Sequence, residues 1–169
     1  MDAITVLKKD HRKVEELFAE LEALGERAYK AKAKVVSKII LELKTHAELE
    51  EQIFYPAFRA EADDEDAVLE AYEEHHVVKL LIAEIEVLAP DHERYMAKCT
   101  VLKELIQHHV EEEEKEMFPE AKQAIKAAEL EALGKRIEAA RPAVQAKAAA
   151  PAPRVSVTML RDAKGAKIK

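Results

Sequence analysis

At 169 residues the chain has room for one domain with a real core, and a composition rich in Ala, Leu, Glu and Lys favours helices throughout. The formal net charge of −7 is uneven: residues 1–140 carry 20 basic and 33 acidic side chains, whereas beyond them seven Lys or Arg face one acid, Asp162. An acidic body argues against nucleic acid as the main partner, and the lack of a long apolar run or an apolar leader argues against a membrane or secreted protein.

The first helix is predicted over Ala3 to Leu24, stopping at Gly25 as a C-terminal glycine. The second runs from Tyr29 until Pro56 interrupts it. The third follows the acidic "DDED" at 63–66, where negative charge suits a helix N-terminus, and ends before Pro90. The fourth starts near Asp91, read as its cap, and reaches Phe118; His92 beside that cap is expected in solvent. A shorter helix continues from Pro119 to about Ala140 on the outside of the bundle. Past Pro142 the composition "AVQAKAAAPAPRV" is that of a linker. The domain is therefore placed at 1–141 and a disordered Ala/Pro/Lys-rich tail at 142–169. The single cysteine, Cys99, reads as a small core residue and fits a reducing, cytoplasmic setting.

The two halves of the chain repeat each other. "LKKDHRKVEELFAELEAL" (7–24) aligns without gaps on "AYEEHHVVKLLIAEIEVL" (71–88), and "HAELEEQIFYP" (46–56) on "HVEEEEKEMFP" (109–119). His11 meets His75, His46 meets His109, Glu50 meets Glu113 and Pro56 meets Pro119. Similar amphipathic helices would explain the apolar matches, but not matched His, Glu and Pro. The expected fold is all-α: a duplicated helical hairpin forming an up-down-up-down four-helix bundle, with a short C-terminal helix and a flexible tail.

Polar residues occupy seam positions of this bundle. Ile4, Leu7, His11, Val14, Phe18 and Leu21 keep 3-4 spacing, as do Val68, Ala71, His75, Val78, Ile82 and Ile85. The second helix gives Leu43, His46, Glu50, Ile53 and Ala57; the fourth gives Ile106, His109, Glu113 and Glu116. A lone core histidine is more often a hydrogen-bonded structural residue than a ligand. Four of them on four helices, with two carboxylates at similar depth, are hard to explain as packing, because buried ionised carboxylates need a partner or a metal. Residues i and i+4 share a helix face, so His46 with Glu50, and His109 with Glu113, can reach one centre. Four neutral nitrogens and two carboxylates able to bridge suit a two-metal, di-iron centre.

The order H…HxxxE…H…HxxxE resembles the hemerythrin-like, or HHE cation-binding, family over residues 2–140. The ferritin-like alternative uses Glu-x-x-His and more carboxylates. The resemblance implies a non-haem centre of two Fe ions, with His11, His46, Glu50, His75, His109 and Glu113 as metal ligands and both glutamates bridging. It also implies binding of a small ligand such as dioxygen, nitric oxide or peroxide.

Oxygen-carrying members have a fifth histidine, four after the ligand of the third helix; here Lys79 stands there, and Glu15 stands four after His11. His76, Glu15, Glu51 and Glu116 are the candidates for an additional ligand. A less saturated centre favours sensing or redox chemistry over oxygen carriage. His108 has an apparent seam of its own (Val101, Leu105, Glu112), but only the His109 register matches the repeat. Glu111, Glu112 and Glu114 are assigned to solvated surface; Tyr55 is open to a supporting or redox-active role near the centre, but its helical phase favours packing. Three readings stay open: a ligand-binding sensor or stress-response protein; an enzyme reducing peroxide or nitric oxide or repairing iron-sulfur clusters; and iron storage or a metal-free helical module, the last disfavoured because its seam carboxylates would repel each other. The sequence leaves open the physiological ligand, the electron donor, the role of the basic tail and the oligomeric state, with a monomer compatible.

Overall fold

The computed structural model describes residues 1–62 and 64–150, and these are helical or in short connections, without strands. Helix α1 spans Ala3–Glu22; the Asp2 side chain accepts from the Thr5 amide at 2.9 Å and caps it. Helix α2 (Tyr29–Leu49) passes through a π turn (Glu50–Phe54) into α3 (Tyr55–Glu61). Helix α4 (Glu65–Glu86) starts at the Asp64 cap, whose side chain accepts from the Ala67 amide. Helix α5 (Tyr95–Glu112) passes through a second π turn (Glu113–Met117) into α6 (Phe118–Ala124), and α7 (Ala127–Ala149) follows. The chain therefore folds as the expected all-helical bundle of repeated hairpins, with α7 laid along α1 and α2.

Several boundaries differ from the sequence expectation, each for a local reason. Pro56 does not end the second helical run, nor Pro119 the fourth. Each proline sits at the second residue of a helix that restarts after a π turn, where its missing N–H is tolerated. Gly25 is not a left-handed cap, because no described glycine has positive φ and α1 closes at Ala23 in right-handed geometry. Asp91 does not cap α5, which begins after Arg94; the Nδ1 of exposed His92 accepts from the Arg94 amide at 3.1 Å.

The placement of a linker from residue 142 is corrected as well. Helix α7 continues through Pro142, which lies on the exposed side, where the carbonyl that the ring displaces is open to solvent. Contacts hold the segment down: Val144 is buried, Arg141 bonds Asp10 at 2.8 Å and Lys147 bonds Glu48 at 2.7 Å. The rest of the expected tail, 151–169, lies outside the described residues. No described helix is long and apolar enough to cross a membrane.

The apolar core comes in two clusters, stacked along the bundle. One holds Val14, Phe18, Ile39, Leu43, Val78, Ile82, Cys99 and Ile106; the other holds Leu7, Leu49, Phe54, Phe58, Ala71, Met117, Phe118 and the inner face of α7. Between these clusters, in chain order on each helix, stand His11, His46, His75 and His109. The fold thus places a polar layer between two dry ones.

Candidate metal centre

All six residues singled out by the repeat are buried: His11, His46, His75, His109, Glu50 and Glu113 are each at most 6 % exposed. Their functional atoms fall into two groups. His11 Nε2 lies 3.2 Å from His46 Nε2 and 3.2 Å from Glu113 Oε2, and His46 Nε2 lies 3.1 Å from Glu50 Oε1. On the other side, His75 Nε2 and His109 Nε2 are 3.1 Å apart, with Glu50 Oε2 at 3.5 Å from His75 and Glu113 Oε2 at 3.6 Å from His109. Glu50 therefore turns one carboxylate oxygen to each imidazole pair.

The donor chemistry fits bound cations. Glu50 Oε1 and Glu113 Oε2 are fully buried and have no hydrogen-bond partner among the described residues, although imidazole nitrogens lie about 3.1–3.2 Å away. These contacts are close but misaligned for hydrogen bonding. Such atoms converge on a common point instead of pairing with one another. Orphaned buried carboxylate oxygens are costly unless an ion neutralises them.

Every imidazole is held from behind through Nδ1, by an acid adjacent in sequence to a centre residue. His11 meets Glu114 at 3.0 Å, His46 meets Asp10 at 3.4 Å, His75 meets Glu51 at 2.9 Å and His109 meets Glu74 at 2.6 Å. A carboxylate on Nδ1 fixes the ring and leaves Nε2 to face a metal. The arrangement obeys the internal repeat: Asp10 and Glu74 precede matched histidines, and Glu51 and Glu114 follow matched glutamates. Sequence reasoning missed this set, although the signal was present as an acid beside each of four matched residues. Glu114 is accordingly not solvated surface, being 16 % exposed and also bonded to Lys8 and Arg12. Arg141 of α7 supports Asp10 in turn.

The candidates for an additional ligand resolve differently. Glu15 is exposed and pairs with Arg12, His76 and Glu116 are exposed, and Glu51 serves His75 from outside. Instead Tyr55 enters the centre, fully buried, with its hydroxyl 2.9 Å from Glu113 Oε1 and 3.4 Å from both Glu50 Oε2 and His75 Nε2. A straight α-helix would turn residue 55 about 140° away from residue 50. The π turn, closed by the Tyr55 amide on the Glu50 carbonyl, adds one residue to the turn and brings it back. The same turn after Glu113 moves the buried face from Glu116 to Met117 and Phe118. Tyr55 thus corrects the packing role expected from its phase. Its oxygen can give a proton to Glu113 or act as a donor atom toward a metal.

Electrostatics in the metal-free chain follow from this geometry. Burial disfavours charge on His46, but Glu50 and the Asp10 contact outweigh it and hold its pKa well above the usual range. Burial likewise opposes ionisation of Glu50, yet His46 and His75 keep its carboxyl well below the usual range. Burial and the negative charge of Glu50 and Glu113 push the Tyr55 phenol well up, so it is protonated. Two clefts reach the centre. One of about 600 Å³ lies between α1 and α5, walled by Val14, Phe18, Ile106 and Val110, and ends at His11; a smaller one meets His109 and Glu113.

The profile of the family described as "Hemerythrin HHE cation binding domain" matches residues 2–121. The chain belongs to the hemerythrin HHE cation-binding family. Membership implies that it binds metal cations, for which the buried His and Glu clusters are suited. The fold of this hemerythrin-like chain matches the crystal structure of a hemerythrin HHE cation binding domain-containing protein from Mycobacterium kansasii, with a TM-score of 0.76 at 23% identity. That match covers 87% of this chain and 89% of the other. A DNA nickase from Nostoc sp. is 26% identical over 145 residues, 86% of this chain. The hemerythrin-like chain spans only 40% of the length of that relative.

Proposed function

We propose that this is a non-haem di-iron protein that binds a small ligand, dioxygen, nitric oxide or peroxide, in sensing or stress response. In this reading His11 and His46 would hold one iron and His75 and His109 the other, with Glu50 and Glu113 as the carboxylates available to both. The observation that carries it is the pair of buried, unpartnered carboxylate oxygens, Glu50 Oε1 and Glu113 Oε2, beside His46 and His11, with Glu50 Oε2 turned to His75. Iron bound there would supply electrons and open coordination positions for the ligand. The chain's own residues do the rest. Four outer carboxylates orient the imidazoles, Tyr55 holds a proton at its oxygen beside Glu113, and the buried Ile53, Val78, Ile82 and Ile106 limit water. The apolar cleft between α1 and α5 suits an uncharged ligand.

A second reading is a redox enzyme that reduces peroxide or nitric oxide, or serves iron-sulfur cluster repair. Tyr55 favours it, because a protonated phenol inside the centre can deliver a proton to a reacting ligand. Nucleic acid is not proposed as a partner: the body is acidic, and the activity in the nickase's name is left with that longer protein. We place the protein in the cytoplasm.

The test is anaerobic reconstitution with ferrous iron, a metal count per chain, then addition of dioxygen, peroxide and nitric oxide with optical recording. Reversible ligand-dependent spectra support the sensor, and sustained turnover supports the enzyme. Absence of metal uptake, or two metals retained per chain after His46→Ala and His109→Ala together, would falsify the assignment.

A further inference from the structure

The smaller cleft lies between α4 and the α5–α6 run, and its floor is formed by His109 and Glu113 of the centre. Its walls carry Asp64, Glu70, Glu74, Glu112, Glu116 and Glu120, and among the described residues no lysine or arginine lines it. At its edge His108 is 64% exposed, with Nε2 3.2 Å from Glu112 Oε1 and 3.8 Å from Glu74 Oε1. These three side chains offer donor atoms within 4.8 Å of one another. Glu74 also faces inward, its Oε2 bonded to Nδ1 of His109. One residue therefore joins the surface group to the buried centre.

Acidic surface clusters are common and mean little alone. The floor distinguishes this one: Glu113 is 2 % exposed, lines the cleft, and has a carboxylate oxygen without a hydrogen-bond partner. We propose that the cleft is the route by which a hydrated divalent cation reaches the buried centre, with Glu74, His108 and Glu112 as a transit site on it. The proposal rests on the metal-binding reading above.

Physical considerations support the direction of traffic. A cleft lined by one sign of charge between low-dielectric walls focuses the field and concentrates the opposite ion. Its volume is about 80 Å³. Such a cleft is narrow, and its walls offer carboxylate oxygens that can replace waters of an entering ion. The larger cleft between α1 and α5 has apolar walls, and Arg12, Lys103 and Lys115 nearly balance its Glu15, Glu22, Glu111 and Glu114, so it attracts cations less than the all-acidic one. The two openings divide metal from ligand.

Stopped-flow loading with ferrous iron, and with cobalt(II) as an optical probe, tests this through the uptake rate and the final metal count. E70Q/E112Q/E116Q removes three charges from the cleft and leaves Glu74 in place. E15Q/E22Q/E111Q removes three from the other opening. The first variant should load on the order of tenfold more slowly, the second near the wild-type rate, and both should reach the wild-type count. Equal slowing in both variants, or none in the first, overturns the route. A reduced final count in the first shows that these carboxylates hold resident ions and overturns the transit role. If the triple variant does not fold, E116Q and H108A, both at exposed side chains, carry the test: unchanged rates in both overturn the proposal. Wild-type protein that takes up no metal at all would instead sink the metal-binding reading itself.

Discussion

Tyr55 and Phe118 stand at equivalent positions of the two repeats and pack on equivalent histidines, Tyr55 on His75 at 5.6 Å between ring centroids and Phe118 on His11 at 5.7 Å. The Tyr55 hydroxyl is therefore a break in the internal symmetry inside the centre, and it bonds Glu113 at 2.9 Å. Tyr55→Phe should make the halves more alike while retaining the fold and the metal count. If two irons bind as proposed, iron-loaded wild type should give distinct Mössbauer quadrupole doublets that merge toward one in the variant. Doublets as well separated as before would place the asymmetry elsewhere. Without metal the variant leaves a buried Glu113 oxygen unbonded, at a cost of roughly 1–3 kcal/mol in stability.

The outer carboxylates make a separate prediction. Glu114→Gln and Glu51→Gln weaken the hold on Nδ1 of His11 and His75 without removing a donor from the centre. Metal affinity, measured by chelator competition, should fall by about 10–100-fold for each. Glu111→Gln serves as the control, since Glu111 is exposed and contacts only Lys115 among the described residues. Equal losses in all three would reduce the effect to net charge.

The helix count, the duplicated hairpin and the six buried His and Glu residues were legible because seam spacing and repeat register survive in sequence. What was not legible depends on the π turns. A single extra residue in the turn after Glu50 redirects Tyr55 into the centre, and the matching turn retires Glu116 in favour of Met117. Proline at 56 and 119 marked these places but read as helix ends. The outer shell was hidden for another reason: Glu114 bonds His11 across 103 residues, and a run of four glutamates gives no sign of which one faces inward. Arg141 and Val144 were lost to a linker-like composition that α7 nevertheless folds onto the bundle.

Proton linkage should change sign on metal loading. In metal-free protein burial lowers the His75 pKa, but bonds to Glu50 and Glu51 more than offset this and raise it to about 9; His46 is also raised well above its usual range. An unfolded histidine titrates near 6.5. A raised pKa gives stability that is complete below the unfolded value and lost as pH climbs through the folded one. The Tm of metal-free protein should therefore fall between about pH 6.5 and 9. Metal needs deprotonated imidazoles, so the stabilisation it adds should grow over the same window. Calorimetric scans with and without iron check this. Parallel profiles would mean that the histidines do not titrate with folding.

Gly134 makes the last prediction, because two effects of opposite sign meet there. Replacing a helical glycine by alanine ordinarily stabilises by about 1 kcal/mol. At Gly134 of α7, however, a Cβ would lie 2.3 Å from the Met1 carbonyl oxygen and 2.8 Å from the Asp2 carbonyl carbon. Both are backbone atoms at the start of α1, with no flexible tip to swing aside. Overpacking of this kind costs roughly 1–3 kcal/mol, so it should outweigh the helical gain. Gly134→Ala should lower Tm by several degrees, since about 1 kcal/mol shifts a chain of this size by roughly 2–4 °C. Gly25→Ala is the counter-case: nothing lies within 4 Å and its φ is not positive, so Tm should hold or rise slightly. A neutral Gly134→Ala would mean that α1 can slide along α7. In that event the Arg141 contact to Asp10, and through it the hold on His46, would be looser than the geometry indicates.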